Sequence, residues 1–206
     1  MNKLLKKYIF ILFFFTTLSS YSTSLKAEIP MGGGKYNTIQ IKYAIEGDYQ
    51  QGEEEFIQKD GKTYRKVSIT TKIVANTFAE KTLEIDDGKF FFRINLINKT
   101  GIKLPSINKL KKEMVAKNPH LFKNKKNNPF AITPIRGQLN LTQNILDKEC
   151  QGFVKNNKVY YIWNNIILKE IWEVLGKTTK IAKTLTLDTT IDDTIFTVPE
   201  DIKFHL

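Results

Sequence analysis

From Thr38 onward the chain alternates apolar and polar residues one by one, and a period of two commits it to strands. Ile39, Ile41, Tyr43 and Ile45 fall on one side of the extended backbone, with Gln40, Lys42 and Glu46 on the other. Gly47-Asp48 interrupts the run, a second extended run covers 53–59, and Asp60-Gly61 is a dipeptide suited to the positive φ of a tight hairpin. In the third run Val67, Ile69 and Ile73 alternate with Lys66, Ser68, Thr70 and Lys72. Asp87-Gly88 repeats the turn between a strand around Leu83 and Ile85 and a fifth strand at 90–97. Two such turns this close together predict an antiparallel meander.

The period changes after Pro105, where Ile107, Leu110, Met114 and Val115 fall at helical spacing, with Ser106 as N-cap and Asn118-Pro119 as a stop. The polar face of that helix holds Lys109, Lys111, Lys112 and Lys117. Pro119, Pro129 and Pro134 mark 119–137 as a long loop. Strands resume at 150–154, 159–163, 166–174 and 178–188, with Asn156-Asn157 as a turn and Gly176 as a break. About nine or ten strands in one domain give a mainly β fold with minor α, a large curved antiparallel sheet or barrel with its concave side covered by the helix. A transmembrane barrel fits poorly, because its outward band would have to accept Lys66 and Lys72, or Glu80 and Glu84.

Residues 1–27 read as a secretory signal peptide: Lys3, Lys6 and Lys7 precede an apolar run from Tyr8 to Phe15, and Leu25-Lys26-Ala27 ends in a small residue. The apolar run is too short to span a bilayer. Cleavage is expected before Glu28; with no Cys at that point for acylation, the product is expected to be a soluble monomer in the periplasm or outside the cell. Residues 28–37, with three glycines at 32–34, form a flexible lead-in, and 38–206 a single domain. Loss of the four leader lysines lowers the net charge from +11 to +7. Residues 99–126 contain nine lysines and one acid, Glu113, so the basic character is local. That segment lacks the aromatic interleaving of a nucleic-acid groove, which leaves a solvated face or contact with anionic headgroups.

The chain is poor in catalytic parts. Cys150 is its single cysteine, expected as core packing, and His120 and His205 are its two histidines. These cannot furnish a closed metal site, and no nucleophile elbow or HExxH motif occurs. No cofactor and no enzymatic activity are expected. Glu53, Glu54 and Glu55, next to Gly52, read as a solvated turn. Arg65 shares its side with Val67 and Ile69, so it should snorkel at the sheet edge or meet an acid inside. Arg93, opposite Phe92, Ile94 and Leu96, suits a structural ion pair or an anionic lipid group.

The run 145–150, a hairpin into Val159-Tyr160-Tyr161-Ile162-Trp163, then Ile166-Ile167-Leu168-Lys169, Gly176 and a closing 195–201 resemble the secreted, uncharacterised branch of the LolA/LolB-like periplasmic lipoprotein-carrier superfamily. Lys62-Thr63-Tyr64-Arg65 after a DG turn is similar to that branch too, whereas Asp147 stands where the branch usually has Gly. The resemblance implies a half-barrel closed by one or two short helices, with a hollow that takes a lipid, a lipoprotein acyl chain or another apolar ligand. The lining expected of it is Ile41, Tyr43, Arg65, Val67, Ile69, Phe92, Ile94, Leu110, Met114 and Trp163, with Leu110 and Met114 as a lid facing the sheet. Lys109, Lys111, Lys112 and Lys117 would meet an anionic membrane surface. The alternative is an envelope interaction module of the same shape with a filled core and an exposed apolar patch elsewhere.

Overall fold

The computed structural model describes residues 35–117, 138–174 and 176–205. The leader, most of the lead-in and the proline-rich 119–137 lie outside them, as does His120. The described residues form β1 (Thr38–Gly47), β2 (Gln50–Lys59), β3 (Lys62–Ile73), β4 (Asn76–Asp86), β5 (Phe90–Asn95), β6 (Thr100–Pro105) and helix α1 (Ile107–Lys117). There follow β7 (Gln138–Ile145), β8 (Lys148–Lys155), β9 (Lys158–Trp163), β10 (Ile166–Glu173), β11 (Lys177–Leu187), a 3-10 turn (Asp193–Phe196) and β12 (Lys203–His205).

All twelve strands join one open, curled sheet in the order β12-β6-β5-β4-β3-β2-β1-β11-β10-β9-β8-β7, the half-barrel expected. Two meanders, β1 to β6 and β7 to β11, are sewn side by side where β1 pairs with β11. Every pairing is antiparallel except β12 on β6. The hairpins that the sequence marks close where it places them. Asp60 and Gly61 have φ of 51° and 77°, and Asn156 and Asn157 have 51° and 59°, the twist that right-handed strand pairs need. Asp87 Oδ1 accepts from the Lys89 and Phe90 amides, which holds the β4–β5 turn.

Strands β6, β7 and β12 are additions to the sequence expectation. Alternation is present in two of them, Ile102 and Leu104 in β6 and Leu139, Leu141 and Ile145 in β7, whereas the three residues of β12 are a strand only through pairing to β6. The three glutamates also depart from expectation. They lie within β2, not in a turn, and extended geometry sends Glu54 inward with Phe56 while Glu53 stays in solvent.

The sheet has two cores, one on each face. On the inner face Ile39, Ile41, Tyr43 and Phe56 meet Ile166, Leu168, Ala182, Cys150 and Ile145. Strands β2 and β7 can share one core only because the sheet curls toward that side. On the opposite face Ile57, Leu83, Ile85, Phe92 and Ile94 are covered by Ile191 and Phe196. Residues 188–202 thus form a strap that crosses the back of β3 to β5 and ends in edge strand β12.

Candidate functional site

Register decides what shares the inner face. Tyr43 pairs with Glu54, Phe56 with Arg65, and Arg65 with Glu84, which pairs with Arg93. On the other side of β1, Ile45 lies beside Lys180, which pairs with Glu170. Side chains paired across antiparallel strands point the same way, so seven charged groups fall in one row.

They form a continuous chain of alternating sign: Lys158–Glu170 at 2.8 Å, Glu170–Lys180 at 3.4 Å, Lys180–Glu54 at 3.1 Å, Glu54–Arg65 at 2.8 Å, Arg65–Glu84 at 3.0 Å and Glu84–Arg93 at 3.6 Å. Tyr43 bridges the strand between the halves. Its ring lies 4.9 Å beneath the Lys180 ammonium, and its hydroxyl donates to the Ile167 carbonyl at 2.8 Å. Glu54, 3 % exposed, is the keystone. Burial alone would raise its carboxyl, but the charges of Lys180 and Arg65, and the hydrogen bonds they donate, outweigh it and hold the group at about 2. Glu170 is lowered likewise, burial being overcome by Lys180 and Lys158. A carboxylate clamped between two cations stays ionised and is a poor proton acceptor, so the row stabilises charge inside the sheet rather than moving protons.

Of the residues expected to line a hollow, Ile41, Tyr43, Arg65, Val67 and Ile69 do share the inner face, and Trp163 packs against its core, stacked on Tyr36 at 6.2 Å. Phe92 and Ile94 do not. Alternation along β5 gives the inner side to Arg93 and turns both residues to the back, under the strap. Leu110 and Met114 are also misplaced as an inward lid, being 42 % and 44 % exposed. The reason is the tether at the helix start. Ser106, fully buried, caps Asn108 and donates to Asp86 Oδ2 at 2.9 Å, and Asn108 donates to the Gly61 carbonyl, so α1 is anchored at the end of the sheet beside the β2–β3 turn.

Sequence reasoning missed Glu54, Glu84, Glu170, Lys158 and Lys180. The available signal was parity: Glu54 lies two residues before Phe56, as Arg65 lies two before Val67. Cys150 is fully buried in the inner core, its thiol donating to the Lys148 carbonyl, and burial raises its pKa. We therefore expect Ellman's reagent to leave Cys150 unmodified in the folded protein and to titrate one thiol in denaturant. Cys150→Ser, whose hydroxyl can keep the same acceptor, should cost about 1 kcal/mol in urea unfolding.

Two of the hollows that described residues form bear on the site. The larger, about 430 Å³, lies behind the sheet between Lys62, Asp87 and Phe92 on one side and Asp193, Phe196, Thr197 and Val198 of the strap on the other. The smaller, about 130 Å³, is a polar dent around Lys42, Glu53, Glu55 and Lys66. Among the described residues no cluster of three or more His, Cys, Asp or Glu is placed to hold a metal ion.

At one end of the sheet three large apolar side chains stand in solvent. Tyr49 in the β1–β2 turn is 46 % exposed, Val74 in the β3–β4 turn 99 % and Val174 after β10 63 %. These turns are tied together. The Lys72 amide donates to the Tyr49 carbonyl, the Lys177 amide to Asp48 Oδ2, and Gly176 packs so closely on Asp48 and Tyr49 that a Cβ there would meet the Tyr49 ring at 3.0 Å. Val74 has φ of 55°, a left-handed conformation that costs a β-branched residue about 1–3 kcal/mol and that glycine would adopt freely.

No protein-family model matches the chain, and no curated protein matches it.

Proposed function

We propose that the chain is an exported, non-enzymatic envelope protein of the LolA/LolB-like kind that works as an interaction module, using the half-barrel as a scaffold. The observation that carries this reading is the seven-residue ion-pair row, which with Tyr43 occupies the inner face where an acyl chain would otherwise lie. Contact is assigned to the hairpin end bearing Tyr49, Val74 and Val174. Keeping a strained, fully exposed valine at a turn gives the fold nothing, so its use lies outside the fold. Export rests on the leader read at 1–27, and no helix among the described residues is long and apolar enough to cross a membrane. Lys109, Lys111, Lys112 and Lys117 remain the proposed contact with anionic headgroups.

Cysteine cross-linking tests the module. In a Cys150→Ser background, Val74→Cys is expected to give one discrete adduct within the native envelope, and Glu149→Cys, exposed beside the β7–β8 turn at the opposite end of the sheet, none. If Val74→Cys gives no adduct while acyl ligand copurifies with the protein, the module reading falls to the carrier one.

A second reading, uptake of a lipid, acyl chain or other apolar ligand, is favoured by the hollow behind the sheet, where Phe92, Phe196 and Val198 provide apolar walls. This moves the ligand from the inner face to the back.

A further inference from the structure

The hollow behind the sheet is built from parts distant in sequence. Lys62 opens β3, Asp87 lies in the β4–β5 turn and Phe92 in β5, while Phe196 and Val198 come from the strap. Its volume of about 430 Å³ falls in the range of small-molecule sites. Phe92 and Phe196 are 8 % and 5 % exposed, so the floor is apolar and already held in place.

The charges at the mouth are unequally engaged. Lys59 donates to the Ile191 carbonyl at 2.8 Å and reaches Asp193 at 3.0 Å, so it is fixed and neutralises that carboxylate. Asp87 accepts two amide hydrogens of its own turn at 2.7 Å. Lys62 makes the looser contact, 3.4 Å to the same Asp193, with its ammonium 5.6 Å from the centre of the Phe196 ring. Two ammonium groups thus share one carboxylate, and the second stands at the boundary between water and the apolar floor.

We propose that this hollow binds a small amphiphile with a carboxylate head, the head on Lys62 and the apolar part on Phe92, Phe196 and Val198. The inference rests on the ligand-binding reading above and adds the chemical class of the ligand. Against Asp87 and Asp193 in the lining stand Lys59, Lys62 and Lys103, the last 5.7 Å from the centre of the Phe92 ring, and a carboxylate head can accept from Lys62 where a cationic one cannot. The strap forms one wall, so occupancy should also hold residues 191–198 against the sheet.

Calorimetric titration of the full chain with octanoate, octanol and octylammonium separates the possibilities. Octanoate is expected to bind about tenfold tighter than octanol, with octylammonium weakest. Lys62→Gln should bring octanoate to the level of octanol, whereas Lys62→Arg should retain the difference. Val198→Trp, which fills the hollow, should remove binding of all three, with a thermal melt reporting whether that variant is folded. Equal binding of octanoate and octanol overturns the head-group assignment alone. Tighter binding of octylammonium, or octanoate binding that survives both Lys62→Gln and a folded Val198→Trp, overturns the site. No binding by any of the three overturns the ligand reading with it.

Discussion

Glu54→Ala is expected to lower unfolding stability by about 3–5 kcal/mol in urea titrations, the range for removing one partner from a buried ion pair. Glu54 is almost wholly enclosed and lies between Arg65 at 2.8 Å and Lys180 at 3.1 Å. Its loss splits the row into Lys158–Glu170–Lys180 and Arg65–Glu84–Arg93, each with two cations on one carboxylate. The loss therefore comes from uncompensated charge more than from a missing contact. Replacing Glu54, Arg65 and Lys180 together by apolar residues should recover much of it; if the triple variant is less stable than Glu54→Ala, the row is not the source of the effect. Acid should act through the same group. Its folded pKa, about 2, lies below the ordinary 4.5, so its contribution is present above about pH 4.5 and is lost as pH falls toward 2. That contribution is about 3 kcal/mol at neutral pH. Stability measured from pH 6 down to pH 2 should fall more steeply in the parent than in Glu54→Ala.

Gly52→Ala should be as damaging without altering any charge. A Cβ at Gly52 would stand 2.1 Å from the Ser68 carbonyl oxygen and 2.9 Å from the Ile69 Cα, both backbone atoms of the paired strand. Neither can swing aside like a side-chain tip, so β2 and β3 must part where they carry Glu54 and Val67. We expect a loss of about 3 kcal/mol and a drop of many degrees in Tm. Gly61→Ala is the control, since nothing lies within 4 Å of a Cβ there and only its φ of 77° opposes the change. If Gly52→Ala melts with Gly61→Ala, the close approach of β2 to β3 is wrong.

Much of this was legible along the chain because strand geometry is a local rule. Alternation in β1 and β3 separates buried from exposed residues by parity alone, and the Asp60-Gly61 and Asn156-Asn157 pairs mark hairpins because few residues tolerate two consecutive positive φ values. The Leu146-Asp147 turn, at 51° and 57°, was not legible, since leucine carries no such signal and the paired strands impose the conformation. Ser106 was readable as an N-cap from its place before the helix; that the same hydroxyl is fully buried and bonded to Asp86, twenty residues away, was not.

The sequence by itself determined that the domain is a sheet, where several hairpins turn, which side of β1 and β3 is apolar, and that Arg65 shares the apolar side of β3. Only the tertiary structure decided that Arg65 meets Glu54 and Glu84, that Glu54 also meets Lys180 across β1, and that Phe92 and Ile94 lie behind the sheet under the strap. It also decided that α1 leaves Leu110 and Met114 in solvent. The division has a physical cause. Parity and turn preference are fixed by a few adjacent residues, whereas the charge row and the strap depend on β1 closing against β11, a contact between residues such as Ile45 and Lys180 that nothing in their own neighbourhoods specifies.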